Sequence, residues 1–222
     1  MSSAAPAPRS LVWAGALVFL VAVGLVLLMV VRPSAASPSG TGGSSSRSGG
    51  SASAPAEGSA DVGFARDMSV HHQQAVEMSF LVRDRTDDED VRRLAYDIIN
   101  TQANQRGMML GWLESWDMPK SSERPPMEWM GHPATAADGA LMPGMATDTQ
   151  LDRLRAADGR SAEVVFLRLM TVHHRAGADM ARAAAGSAST DEIRELAAGM
   201  ARAQESEISL MADMLEARGA RP

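Results

Sequence analysis

The chain of 222 residues carries 16 Met, no Cys and a formal net charge of −6, with 45% hydrophobic but only 4% aromatic residues. The absence of Cys excludes disulfides, thiolate metal sites and cysteine nucleophiles. An acidic chain without a basic cluster also excludes a typical nucleic-acid-binding protein.

The N-terminal part begins with a short tail, residues 1–10, followed by an apolar run without charge at residues 11–31. At about 1.5 Å per residue, a helix of this length spans the roughly 30 Å hydrocarbon core of a bilayer. A cleaved signal peptide is the alternative, since SAAS at 34–37 resembles a cleavage site, but the run exceeds the ~7–15 residues typical of signal peptides. We therefore expect a retained single-pass anchor in the cell membrane, with residues 1–10 cytoplasmic and the C-terminal domain extracytoplasmic.

Residues 32–60 are rich in Ser, Gly, Ala and Pro and are predicted to form a flexible, disordered linker. Residues 61–218 show helical periodicity without the alternation typical of strands, which predicts an all-α domain. Three pairs of residues resemble capping boxes at helix starts: Thr86 with Glu89, Thr147 with Gln150, and Ser189 with Glu192. The predicted helices cover 62–85, 86–116, 147–158, 161–185 and 189–218, and a Met-rich loop covers 117–147.

An internal repeat joins the two halves of this domain. MSVHHQQAVEM at 68–78 recurs as MTVHHRAGADM at 170–180, an offset of 102 residues, and the pairs hold four of the five His. The partner helices repeat at the same offset. Each repeat, 62–116 and 161–218, is therefore a helix pair, and two such pairs predict a four-helix bundle with an approximate twofold axis.

The histidines fall on the buried side of their helices. At about 100° per residue, His71 and His173 lie in the middle of an apolar stripe, and His72 and His174 lie at its edge. Polar residues on the inward stripes of the partner helices need partners in the core. These are Gln102, Gln105, Gln204 and Glu207.

Thioether and imidazole donors together suit copper, because Met sulfur favours Cu(I) and imidazole accepts Cu(I) or Cu(II). A polar core in which His bonds to Gln and Glu, with Met as filler, is the alternative. A di-iron enzyme is less favoured, because it needs Glu-x-x-His pairs that this sequence lacks. Loop residues without an evident place in a core strengthen the copper hypothesis. They are Met118, Met127, Met130, His132, Met142 and Met145.

The segments FARDMSVHH, MPGMATDTQLDRLRAADG and FLRLMTVHHRAGADMA, with AQESEISLMADML, resemble the domain-of-unknown-function family 305 (DUF305) over about residues 61–218. The resemblance implies a ferritin-like four-helix bundle. It also implies copper binding rather than catalysis, because the family includes a periplasmic copper-binding protein of cyanobacteria. The implied metal ligands are Met68, His71, His72, Met78, Met170, His173, His174 and Met180.

The first repeat departs from the family pattern at two positions, where Ala75 replaces the equivalent of Gly177 and Gln105 replaces the equivalent of Glu207. We expect an extracytoplasmic protein that buffers copper or transfers it to a copper chaperone or exporter. A structural or interaction bundle without metal is the alternative function. The candidate auxiliary residues are Gln102, Gln105, Gln204, Glu207, Met109, Met211, Met127, Met130, His132, Met142 and Met145.

Overall fold

Five α-helices and one short 3-10 helix make up the part of the chain that the computed structural model describes, residues 54–221. No strand occurs in that range, and an isolated β-bridge joins Ala137 to Ala140. The predicted all-α class is confirmed. The helices are α1 (Ala60–Arg83), α2 (Glu89–Ser115), the 3-10 helix (Glu128–Met130), α3 (Asp148–Ala156), α4 (Gly159–Ser187) and α5 (Asp191–Ala217).

The predicted membrane anchor, 11–31, lies outside the described residues, as does most of the predicted linker. From residue 54 onward, no helix has the combination of length and hydropathy needed to cross a bilayer.

The four long helices pack as two antiparallel pairs. α1 packs against α2 and α4 against α5, and the two pairs meet through α1 and α4. Two apolar clusters fill the interior. Phe64 is fully buried in one cluster, and Phe166, its repeat equivalent, is fully buried in the other. The predicted pairing of two repeats therefore forms one bundle.

The helix starts show where local sequence signals were sufficient. Thr147 and Gln150 form the predicted capping box of α3. The prediction for α2 was wrong, because Asp88 caps it by accepting from the N–H groups of Asp90 and Val91. Thr86 instead donates its hydroxyl to Glu163 at 2.6 Å. The Thr86 side chain, which the local pattern assigned to the cap, therefore makes a tertiary contact instead.

The start of α5 also differs from the prediction, because Ser189 does not cap it. Asp61, at the start of α1, accepts from the backbone N–H groups of Ser189 and Thr190, each at 2.9 Å, and from both hydroxyls. Burial alone would raise the pKa of Asp61, but these hydrogen bonds outweigh it and lower the pKa below its ordinary value.

Glu163 occupies the position of Asp61 in the second repeat. It accepts from Thr86, between α1 and α2, and from Arg218 Nε at 2.6 Å. Each of these two residues, which we call the inter-repeat acids, therefore binds the helix connection of the opposite repeat. The approximate twofold axis therefore relates the polar contacts of Asp61 at one end of the bundle to those of Glu163 at the other end.

Candidate metal centre

The four paired histidines lie together in the interior, where α1 meets α4, and all four are fully buried. The rings of His71 and His173 stack with their centroids 3.6 Å apart and their planes inclined by 27°. His173 Nε2 lies 3.1 Å from the backbone carbonyl oxygen of His71. A carbonyl can only accept, so His173 carries its proton on Nε2 and has a lone pair on Nδ1.

The outer histidines bond to the partner helix of their own repeat. His72 Nε2 donates to Gln105 Oε1 at 2.9 Å, and His174 Nε2 donates to Glu207 Oε2 at 2.6 Å. The helical projection placed both histidines at the edge of the stripe, yet they are as fully buried as the inner pair. The partner helices cover that edge, which a projection of one helix cannot show.

Several nitrogen and oxygen atoms in this interior have no hydrogen-bond partner within residues 54–221. They are Nδ1 of His72, His173 and His174, both ring nitrogens of His71, and Oε1 of Gln102 and Gln204. An unpartnered buried polar atom costs about 1–3 kcal/mol. A ring nitrogen whose opposite nitrogen is held by a hydrogen bond has the arrangement usual for a metal-ligating imidazole. The orphaned Nδ1 atoms therefore fit a metal ion.

Burial keeps the imidazoles of His71, His72 and His173 neutral. Burial lowers the pKa of His71 and His173 well below 6.5, and the neighbouring imidazoles lower it further. Burial also lowers the pKa of His72 to about 4. Neutral imidazole is the form that binds metal, so no proton has to leave these rings at neutral pH.

The methionines group differently from the sequence motif. Met68 shares an apolar cluster with Met180 of the other repeat and with Met109, whereas Met78 shares the second cluster with Met170 and Met211. All six are fully buried. Met68 and Met78 cannot serve one ion directly, because ten residues of helix separate them by about 15 Å. The antiparallel crossing of α1 and α4 instead joins Met residues from opposite repeats.

Within the described residues, no group of three or more His, Asp or Glu side chains is placed to hold a metal ion. An ion bound here therefore needs thioether or amide ligands besides imidazole, or a rotation of side chains. The residues that fit such a mixed set are the orphaned imidazoles and the Met residues that fill the two clusters.

The Met-rich loop has a packing role that the sequence did not indicate. Met142 and Met145 are buried in the cluster of Met68, and Met118, Met127 and Met130 pack against that cluster. The expectation that no core requires these residues was wrong, because the loop folds back over the bundle. His132 is exposed and lies outside the histidine cluster.

The 3-10 helix holds one part of the loop against α1. Asp67 Oδ2 accepts from the Met127 N–H at 2.7 Å and from Trp129 Nε1 at 2.8 Å. Burial raises the pKa of Asp67 even though these hydrogen bonds act to lower it. A Cβ on Gly63 would lie 2.4 Å from the Trp129 ring, so glycine is required for this contact.

The MPGM segment, 142–145, and Ala146 hold the other part of the loop. Gln74 of α1 exchanges two hydrogen bonds with the backbone of Ala146, at 2.6 and 2.8 Å. A Cβ on Gly144 would lie 2.2 Å from the Cβ of Ala176 on α4. Helical periodicity gave no sign of Gln74 or of Asp67 and Gly63, because their partners lie in a loop.

A helical bundle that buries a doubled His pair and two Met clusters defines the general class of this protein. The profile of the family described as Domain of unknown function (DUF305) matches residues 61–215, and the chain belongs to that family. No curated protein matches the chain.

Three solved proteins share the fold. A DUF305 protein from Streptomyces coelicolor, whose name suggests secretion, is 60% identical, with a TM-score of 0.70 over 75% of this chain and 98% of that one. A DUF305 fragment from Deinococcus radiodurans is 28% identical, with a TM-score of 0.60 over 70% and 94%. CopM in its Cu(II)-bound form is 26% identical, with a TM-score of 0.55 over 68% and 92%. CopM in its Cu(I)-bound form is 24% identical, with a TM-score of 0.52, and shows the fold alone.

Proposed function

We propose that this protein binds copper ions in the buried His–Met centre, and that it buffers or transfers them outside the cytoplasm rather than catalysing a reaction. The observation that carries the proposal is the set of orphaned imidazole nitrogens between two buried Met clusters. A polar core serving packing alone would be expected to pair these nitrogens with donors, because leaving them unpaired lowers stability.

The donor chemistry supports copper over other metals. Thioethers select Cu(I), imidazole accepts both oxidation states, and the chain has no Cys with which to build a thiolate zinc site. CopM, 26% identical, has been solved with Cu(II) bound, which agrees with this choice. The name of the Streptomyces coelicolor relative supports an extracytoplasmic location.

The test is copper retention by the chelator-treated full-length chain in detergent after loading and dialysis. The matched variants replace all four paired histidines with Gln, or replace only the exposed His132 with Gln. We expect copper to be retained by the wild type and the His132→Gln variant and lost from the quadruple variant. Retention by a folded quadruple variant would show instead that the paired histidines serve packing and that the metal lies elsewhere.

We also infer that residues 11–31 anchor the protein in the membrane, on the basis of their length and lack of charge. Intact mass and N-terminal sequencing of the protein from membranes test this. A mature chain that begins near Ser37 would show a cleaved signal peptide in its place.

A further inference from the structure

The two outer histidines occupy equivalent positions but have chemically different partners. His72 Nε2 bonds to the neutral amide of Gln105, and His174 Nε2 bonds to the carboxylate of Glu207. Gln105 and Glu207 correspond at the repeat offset of 102 residues. The geometry is therefore the same in both halves, while one negative charge is added to only one of them.

We call the surroundings of His72 and Gln105 the His72 side of the centre, and those of His174 and Glu207 the His174 side. We propose that Glu207 sets the ion selectivity of the centre, so that the His174 side binds Cu(II) and the His72 side binds the univalent ions Cu(I) and Ag(I). This inference rests on the proposed function, because it assigns ions to the same buried centre. Glu207 is a positioning residue in this scheme. It acts through His174 and through its charge, and not as a direct ligand.

The charge balance of the two sides supports the assignment. On the His72 side, imidazole, thioether and amide groups are all neutral, and moving a divalent ion out of water into neutral surroundings is far costlier than moving a univalent one. On the His174 side the carboxylate offsets one of the two charges. Within residues 54–221 Glu207 has no ion pair with Arg or Lys, so no neighbouring cation neutralises it.

The two sides also differ in the space beside the inward-facing amide of the partner helix. Gln204 lies one turn before Glu207 on α5, and its Oε1 is buried without a partner within residues 54–221, as is Oε1 of Gln102 in the first repeat. Gly177 makes room for it, because a Cβ there would lie 2.3 Å from Gln204 Oε1 and 2.9 Å from His71 Cε1. The first repeat has Ala75 at this position. The amide donor is therefore the same on both sides, and the selectivity assignment rests on the charge of Glu207.

The bond to Glu207 should also strengthen His174 as a ligand. A carboxylate that accepts from one ring nitrogen raises the basicity of the other, and loss of such a partner typically lowers metal affinity by about 10–100-fold. A neutral amide gives a weaker effect, because hydrogen bonds to a charged acceptor are roughly twice as strong.

The experiment exchanges the two partners in the full-length chain in detergent. The variants are Glu207→Gln, Gln105→Glu and the double exchange, and the probes are Cu(II) and Ag(I), each titrated against a competing chelator. Glu205→Gln is the control, because Glu205 is an exposed carboxylate on the same helix that pairs with Arg182. Thermal unfolding without metal checks that each variant folds.

For Glu207→Gln, we expect the ratio of Cu(II) to Ag(I) affinity to fall by about tenfold or more. Gln105→Glu should raise this ratio and add a second Cu(II) signal in the electron paramagnetic resonance spectrum. The Glu205→Gln control should keep the wild-type ratio.

The outcomes separate this inference from the proposed function. If the wild type binds both ions but the ratio is unchanged in Glu207→Gln and Gln105→Glu, the selectivity assignment is overturned and copper binding stands. If the wild type binds neither ion, both proposals are overturned. A lower unfolding temperature with an unchanged ratio would show that Glu207 has a structural role only.

Discussion

At the scale of single residues, the histidine cluster combines burial with incomplete hydrogen bonding. Among residues 54–221, His71 has no partner for either ring nitrogen, and it stacks on His173 instead of forming a polar pair. Such an arrangement is costly in the metal-free protein, and an ion that bound the folded state would offset that cost. The metal-free form should therefore be the less stable form, and its stability should depend on the protonation of these rings.

The first prediction concerns pH. In the unfolded chain His72 takes up a proton near its ordinary pKa of about 6.5, whereas burial lowers its folded pKa to about 4. The contribution of neutral His72 to the free energy of unfolding is therefore fully present above pH 6.5 and is lost as the pH falls from 6.5 through 4. His72 alone should account for roughly 3 kcal/mol of that loss, and His71 and His173 should add to it in the same direction.

Urea unfolding of the chelator-treated protein at several pH values between 7 and 4 measures this loss. His72→Gln should reduce the slope of the unfolding free energy against pH, while the exposed His132 replaced by Gln should leave the slope as it is. A slope unaffected by His72→Gln would mean that His72 does not remain neutral in the folded protein.

At the scale of elements, the loop between α2 and α3 is a packed part of the bundle. Gly144 has a φ of +85° and lies directly against Ala176. Gly131, elsewhere in the loop, has a φ of +75°, and a Cβ added there would have no neighbouring atom within 4 Å. A side chain at either glycine would strain the backbone. Only at Gly144 would it also clash with a neighbouring residue.

The second prediction uses this difference. Gly144→Ala should destabilise the protein by about 1–3 kcal/mol more than Gly131→Ala, because overpacking adds to the backbone strain. It should also expose Met142 and Met145, so peroxide should oxidise these two residues faster, as measured by mass spectrometry. Equal destabilisation and equal oxidation in the two variants would show that the loop does not depend on the contact with α4.

The sequence predicted the helices well and their connections poorly. Periodicity identified all five α-helices, and the Thr147–Gln150 capping box is present because both of its partners are local. Thr86 and Ser189 were misassigned because their side chains bond to Glu163 and Asp61 of the opposite repeat. Local patterns cannot show that a distant residue offers a better partner.

At the scale of the whole molecule, the repeat marked His71 and His173 as equivalent positions but did not predict that their rings meet or how the methionines group. The offset of 102 residues paired His71 with His173, whose rings are in contact. The motif suggested that Met68 and Met78 belong to one site, whereas the fold places them in separate clusters. The direction in which α1 crosses α4 decides this grouping, and a linear motif does not contain that direction.

The third prediction tests how the repeats are joined. Asp61→Ala should lower the free energy of unfolding by about 3 kcal/mol, because it removes a buried charged acceptor and leaves two backbone N–H groups unpaired. Asp191→Ala is the control, since its ion pair with Arg194 is exposed and should contribute less than ~1 kcal/mol. Urea unfolding at pH 7 measures both, and equal losses would contradict a joining role for Asp61.

The inter-repeat acids also suggest how such a chain arises. Each acid binds the turn of the opposite repeat, so a chain with a single repeat would satisfy its own acid only by binding a second copy. Two such copies would form a symmetric homodimer with the stacked imidazoles on its axis. Duplication and fusion of the gene for such a subunit would produce the present arrangement. A homodimer must carry the same residue on both sides of its axis, whereas a fused chain can carry Gln105 on one side and Glu207 on the other.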